Sequence, residues 1–150
     1  MKLIVTIDEA IALEEKFSSC YEHLSRVAGD GQSAELKILA REEKNHANVL
    51  KTGKNFVFRA PDLFGQEKTS DIEIRLGLKA AADLQEDLIA GRADFRQGLR
   101  RIHDLERKFE RVHMSTAAEI KDFSLKKLFE ALARADAEHR QRLERLIARL

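Results

Sequence analysis

On two predicted helices the apolar stripe itself contains an acid three residues before a histidine. The pairs are Glu43 with His46 and Asp136 with His139. Residues three apart on a helix share a face, so each carboxylate points the same way as its imidazole. Both pairs interrupt stripes of apolar residues that a helical protein would bury. Because an unpaired buried carboxylate costs several kcal/mol, metal binding is the economical explanation for acids at these positions.

A glutamate on another apolar stripe precedes each pair. Glu14 lies 29 residues before Glu43, and Glu106 lies 30 residues before Asp136. The midpoint of the first interval is Gly29, and the midpoint of the second is also at a predicted turn. In two antiparallel hairpins, each acid would therefore lie about 14 residues, or roughly 20 Å, from its turn. Four carboxylates and two imidazoles would converge at mid-length, which is the recipe for a di-metal site in a helical bundle.

The alternative for these residues is a buried network of acids and histidines without a metal. Four acids against two histidines leave a net negative charge that only cations or protons could balance, and no Lys or Arg lies on these stripes. Carboxylates together with imidazoles suit Fe(II), Mn(II) or Zn(II), and the ligand types alone do not choose among them. The candidate metal ligands are Glu14, Glu43, His46, Glu106, Asp136 and His139.

Tyr21 and His113 occupy matching places in the two halves of the chain, each seven residues after its glutamate. We expect each to hydrogen-bond a ligand carboxylate or a metal-bound water, and so to orient the ligands. The alternative is a core tyrosine and a satisfied histidine at the edge of the bundle.

The elements that must position these side chains are predicted to be helices. Thr6 and Glu9 form a capping-box pattern at the start of the first helix, Ser70 and Asp71 can cap the helix that begins near residue 72, and Asp122 or Ser124 can cap the last. Gly77 weakens the prediction of the middle helix, because glycine is a poor helix former. We expect helices over about 6–28, 30–53, 72–90, 94–120 and from 122 or 124 to the end, with a connecting loop over 54–70.

The composition indicates one helical domain over residues 1–150. Hydrophobic residues make up 43% and charged residues 35%, and the formal net charge of +1 offers no basic field for nucleic acid. We expect no membrane-spanning segment, because no apolar run is long enough. Cys20 is the single cysteine, which excludes an internal disulfide and makes a reducing cytoplasm the expected location.

Two stretches carry a resemblance to a known family. Residues 10–21, with Ala-Ile-x-Leu-Glu ahead of Tyr21, and residues 43–47, Glu-x-x-His-Ala, resemble the ferritin-like domain of rubrerythrins. The resemblance implies an all-α, ferritin-like antiparallel four-helix bundle with a long crossover that contains an additional helix. It also implies a non-haem di-iron or iron/manganese site, oxidoreductase activity on peroxide or O₂, and a homodimer. In that family some of the acids bridge two metals and the others are terminal ligands, and each histidine binds one metal.

Three features depart from the family pattern. Asp136 replaces the usual glutamate, Phe109 stands where many rubrerythrins carry a further glutamate, and the cysteine-rich rubredoxin module is absent. An enzyme of this type would need an external electron donor, either rubredoxin-like or a flavoprotein. We expect Glu43 and Glu106 to bridge the metals. The alternatives are a metal-binding or storage protein without turnover, and a non-catalytic helical bundle that acts as an interaction or sensor module.

Overall fold

The computed structural model describes residues 2–64, 69–70 and 72–150, and the predicted all-α class is confirmed in these ranges. No helix among them has both the length and the apolar content needed to cross a membrane. The described helices are α1 (Leu3–Val27), α2 (Asp30–Arg59), α3 (Pro61–Phe64), α4 (Ile72–Ile89), α5 (Phe95–Glu119) and α6 (Phe123–Ala148).

Helices α1 and α2 form an antiparallel hairpin. Glu22 pairs with Lys44, and Glu15, two turns earlier on α1, pairs with Lys51 further along α2. Because the turn between the two helices is short, they pack side by side in opposite directions. Residues equidistant from this turn are therefore level.

Helices α5 and α6 form a second antiparallel hairpin, in which Glu110 contacts Arg140 and His113 contacts Asp136. Helices α2 and α6 are also antiparallel, because Arg142 and Arg149 of α6 contact Glu42 and Glu35 of α2, respectively. It follows that α2 and α5 run in the same direction. The chain must return along the length of the bundle between them.

Helix α4 makes this return. It runs parallel to α1, where Glu9 pairs with Arg75 and Lys16 donates to Gln85. It also packs against α5 at Gly77, where an added Cβ would lie 1.8 Å from Cζ of Phe109. The residue that weakens the helix prediction is thus the one that lets the two helices pack in contact.

The hydrophobic core is divided into two clusters. One contains Phe17, Leu39 and other residues from α1, α2, α4, α5 and α6, and the second contains Ile7, Phe129 and other residues nearer the opposite end. On α2 and α6 the acids and histidines of the predicted site lie between residues of the two clusters, whereas Glu14 and Glu106 are flanked along α1 and α5 by residues of the first. The site is therefore a polar layer within the core that borders both clusters.

Several predicted element boundaries are confirmed. Asp94 and Gln97 form a capping box at the start of α5, and Asp122 accepts a hydrogen bond from the Leu125 N–H at the start of α6. Gly91 follows α4 with a φ of 73°, a backbone conformation that glycine adopts without steric cost. Asp71, a predicted cap of α4, lies outside the described residues.

Other predictions at the ends of α1 and α2 are wrong. Helix α1 begins at Leu3, so Thr6 lies inside it and hydrogen-bonds Thr69 at 2.5 Å instead of capping. Helix α2 does not end near Gly53 but continues to Arg59, and α3 follows it. Within the predicted loop over 54–70, residues 54–64 are therefore mostly helical. Val57 and Phe64 are buried in the second core cluster, and this tertiary burial outweighs the weak helix propensity of the segment.

Candidate metal centre

The structure brings all six predicted ligands together in the polar layer, and it adds His113 to them. Their side chains form three overlapping groups, and within each group one potential ligand atom per residue lies within 4.8 Å of the others. Glu43 belongs to the first two groups and Glu14 to the last two. The groups, in that order, are Glu43 with Glu106 and His139, Glu14 with Glu43 and His46, and Glu14 with His113 and Asp136.

These separations are close to those that one metal ion requires. Nitrogen and oxygen ligands bind Zn²⁺ at about 2.0–2.2 Å, so two ligands of one such ion are at most about 4.4 Å apart. Contraction by a few tenths of an ångström would bring each group to that distance. The arrangement can therefore hold cations with little movement of the helices.

His139 is held from two sides. Its Nδ1 lies 2.7 Å from Oε1 of Glu43 and 3.3 Å from Oε1 of Glu106, so this nitrogen faces the centre. Its Nε2 lies 2.8 Å from Oε2 of Glu42, whose other oxygen pairs with Nη1 of Arg142 at 3.1 Å. A carboxylate on the outer nitrogen sets the tautomer of a ligating imidazole and raises its basicity.

Glu42 is the functional residue that sequence reasoning missed. It directly precedes Glu43 in the sequence and lies beside the apolar stripe of α2, not on it. The sequence pattern therefore predicts a surface residue at this position. The available signal was Arg142, three residues after His139, which offers a partner for an acid on the facing helix. That signal is weak, because surface helices carry many acid–base pairs.

His46 lies at the open edge of the centre. Its Nδ1 is 3.5 Å from Oε2 of Glu43 and 3.7 Å from Oε2 of Glu14, and 22% of its side chain is exposed. Its ring stacks on that of His139, with centroids 5.6 Å apart and an interplanar angle of 19°. The two imidazoles of the predicted pairs are therefore adjacent, and one of them borders solvent.

Tyr21 and His113 both contact predicted ligands. The Tyr21 hydroxyl donates to Oε1 of Glu106 at 2.8 Å, and Nδ1 of His113 lies 2.6 Å from Oδ2 of Asp136. Each of these contacts joins elements from different parts of the chain, α1 to α5 and α5 to α6. Both side chains are fully buried.

Asp136 and Phe109 are also buried. Asp136 is grouped with Glu14 and His113, not with Glu43, as expected for a carboxylate one methylene shorter than glutamate. Phe109 packs edge-on against the ring of Phe17, with centroids 5.9 Å apart. This phenyl ring fills its position with apolar atoms.

The centre contains many buried polar atoms without hydrogen-bond partners. Both oxygens of Glu14 and both oxygens of Glu43 lack a hydrogen-bond partner among the described residues. The contact between Glu43 and His139 is close, but its angles are not those of a hydrogen bond. A buried polar atom left unsatisfied costs about 1–3 kcal/mol. The others at the centre are His46 Nδ1, Glu106 Oε2, His113 Nε2 and Asp136 Oδ1.

The acids respond differently to this environment. Burial raises the pKa of Glu43 well above its usual value, and the neighbouring Glu14 and Glu106 raise it further. Burial and the same two glutamates also raise the pKa of Asp136. Burial opposes ionisation of Glu14 as well, but contacts with Glu43 and His46 outweigh it and lower the pKa of Glu14 to about 2. Without a cation, this environment therefore favours the protonated forms of Glu43 and Asp136 and the ionised form of Glu14.

The histidines also differ. Burial lowers the pKa of His113, which is therefore neutral and able to offer a lone pair. Burial would also lower the pKa of His139, but Glu106 and Glu42 outweigh it and raise the value to about 9. Burial and the charge of Glu106 raise the pKa of Tyr21, so its hydroxyl remains a donor.

Comparison with known proteins adds no family to this geometry. No protein-family model matches the chain, and no curated protein and no solved structure is significantly similar to it. The arrangement of the buried acids and histidines is therefore the basis for inferring function.

Proposed function

We propose that this protein is a ferritin-like, non-haem di-metal carboxylate protein that reduces peroxide or O₂ with electrons from an external donor. The observation that carries the proposal is the cluster of four fully buried carboxylates with three imidazoles, most of whose polar atoms have no protein partner. Two divalent cations would bind those atoms and balance the negative charge.

The path of the chain supports the ferritin-like part of the proposal. Two antiparallel hairpins, α1–α2 and α5–α6, are joined through α4, which returns along the length of the bundle. This is the arrangement of bundles with one long crossover, in which inward-facing acids and acid-x-x-His pairs hold two metals. The resemblance of residues 10–21 and 43–47 to rubrerythrins supports the same class.

The donor set fits two ions of iron, with manganese or zinc as the other candidates. Glu43 and Glu14 each belong to two of the three groups and are the best-placed bridging ligands, whereas Glu106, the other expected bridge, belongs to one. His139 would bind one metal and His46 the other. Carboxylates and imidazoles together suit Fe(II), and the one cysteine, Cys20, lies on α1 outside the three groups.

The protein side chains supply position, access and protons. When bound, a pair of ferrous ions supplies two electrons for cleavage of an O–O bond. Tyr21 holds Glu106 through its hydroxyl, and Glu42 holds His139 from its outer nitrogen, so the ligands at this end are oriented before a metal binds. The partly exposed His46 marks the side from which a small oxidant and protons reach the centre.

The electrons must come from outside the chain. Burial raises the pKa of the Cys20 thiol to about 12, so it is protonated at neutral pH and unreactive. A rubredoxin-like protein or a flavoprotein is the class of donor that we propose. The protein would act in the cytoplasm as a homodimer, and sedimentation or light scattering measures that assembly directly.

One observation favours a second candidate, a metal-binding or storage protein without turnover. Asp136 is grouped with His113 and Glu14 and does not join the group around Glu43 and Glu106. If that separation persists with metal bound, the two ions share fewer bridging carboxylates and are less suited to oxidation in concert. Consumption of peroxide with an artificial reductant distinguishes turnover from storage.

The decisive experiment is elemental analysis of protein expressed with iron and manganese supplements. We expect about two equivalents of metal per chain in the wild type, as in di-metal bundles, and loss of both in a Glu43→Ala/His139→Ala variant. Glu35→Ala is the matched control, because Glu35 lies on α2 and contacts α6 through the exposed Arg149. A wild type that contains one zinc or no metal would leave a non-catalytic bundle or sensor module as the better description.

A further inference from the structure

His113 differs from Tyr21, its counterpart in the first half of the chain. The hydroxyl of Tyr21 is satisfied by Glu106. His113 is fully buried and has a contact at Nδ1 with Asp136, but its Nε2 has no hydrogen-bond partner in the described part of the chain. Buried polar atoms normally have a hydrogen-bond partner, so the unpaired Nε2 of His113 needs an explanation, whereas the Tyr21 hydroxyl does not.

Two phenyl rings fix the orientation of His113. Its ring centroid is 5.6 Å from that of Phe109 and 6.1 Å from that of Phe129. These rings offer no strong hydrogen-bond partner. A nitrogen of His113 lies within 4.8 Å of a carboxylate oxygen of Asp136, on the facing helix α6, and of one of Glu14, on α1.

A hydrogen bond between His113 and Asp136 explains only part of this arrangement. It satisfies Nδ1 of His113 and Oδ2 of Asp136, and it leaves Oδ1 of Asp136 and both oxygens of Glu14 without a partner among the described residues. All three side chains are at 0% exposure, so these atoms do not face the surrounding solvent. A cation among the three would be bound by two carboxylates and one imidazole.

We propose that His113 is itself a metal ligand, so that the centre has three imidazoles and its two metal positions are chemically different. This inference rests on the proposed di-metal function. Glu14 would have His46 on one side and His113 on the other, whereas Glu43 and Glu106 would share the single imidazole of His139. His113 would then be a specificity-determining residue of the centre.

The difference between the positions predicts metal selectivity. Imidazole nitrogen favours Fe(II), Co(II) and Zn(II), whereas carboxylate oxygen is the preferred environment of Mn(II). The position at Glu14 should therefore prefer Zn(II) or Fe(II) to Mn(II), and the position at Glu43 and Glu106 should discriminate less. A centre of this kind can hold two different metals.

The test is proton NMR of the full-length protein loaded with Co(II). A histidine bound to Co(II) through one nitrogen gives a strongly shifted, exchangeable N–H signal from the other. We expect three such signals in the wild type and two in His113→Gln. In the variant, Co(II) binding at one position should weaken by more than about 100-fold, because losing a ligand should cost more than losing a residue that only hydrogen-bonds a ligand. The signal of buried His113 should exchange more slowly than that of partly exposed His46.

His103→Gln is the control, because His103 contacts Glu144 at the surface of α5 and α6 and should leave three signals. Two signals in a wild type that binds two Co(II) ions would overturn the inference and leave the proposed function standing. A wild type that binds no Co(II) would overturn both. If His113→Gln does not fold, the number of signals in the wild type alone still decides between two and three histidine ligands.

Discussion

The two histidines of the acid-x-x-His pairs lie in different surroundings, although each follows its acid by three residues. His139 is 1% exposed, contacts two glutamates of the centre and is held from outside by Glu42. His46 is 22% exposed at its side chain and contacts its acids only at 3.5 Å or more. The same motif thus forms one end that is oriented in advance and one end that can adapt to a ligand.

This contrast indicates a division of roles. A preorganised ligand needs no rearrangement when a metal binds, so the His139 end should bind first and most tightly. The His46 end borders solvent, so under the proposed function it is the end that a small oxidant would reach.

The largest effect is expected from Glu43→Leu, because Glu43 belongs to the groups of both histidines. Metal binding should weaken by more than about 100-fold at both positions. The metal-free protein should become more stable, since a buried group with two unpartnered oxygens is replaced by an apolar side chain. Co(II) titration and urea denaturation measure the two effects. Retention of one tight position would mean that the ends are independent.

The second prediction concerns pH and the metal-free protein. His139 has a pKa raised to about 9, so its contribution to stability is complete below about pH 6.5 and is lost as the pH rises towards 9. The raised pKa of Glu43 and that of Asp136 act in the same direction, because their protonated forms are favoured in the folded state. The free energy of unfolding should fall by on the order of 1–3 kcal/mol between pH 6 and 9.

Urea denaturation of the metal-free protein across that range measures the fall. Metal-loaded protein should show the opposite trend, because ligands must lose their protons to bind a cation. A metal-free stability that increases from pH 6 to 9 would contradict the assigned protonation of His139. Glu14, with its pKa of about 2, stays ionised throughout and should not contribute to the change.

The smallest effect is expected from Glu42→Gln, which acts on the His139 end alone. Loss of the carboxylate should weaken metal binding at that end by about 10–100-fold and leave the His46 end unchanged. Glu35→Gln is the matched control, because it removes a similar α2–α6 ion pair at an exposed position, where such pairs contribute little. Equal losses in the two variants would show that Glu42 has only a structural role.

Much of the fold could be predicted because its signals are local. Asp94, Asp122 and Gly91 mark the ends of helices through side-chain chemistry that depends on neighbouring residues only. The start of α1 and the end of α2 were predicted wrongly because their signals are not local. Thr6 has the pattern of a cap, but its hydroxyl bonds Thr69, which is 63 residues away in the sequence.

The buried acids and histidines were predictable from the sequence by itself. Helical periodicity shows which residues share the buried face of each helix, so a polar residue among the apolar ones can be recognised. The tertiary structure decided how they differ. Whether a histidine is clamped like His139, exposed like His46 or enclosed by phenyl rings like His113 depends on which side chains the facing helices present. These contacts join residues far apart in the chain, so helical periodicity places each acid in the layer but does not select its partners.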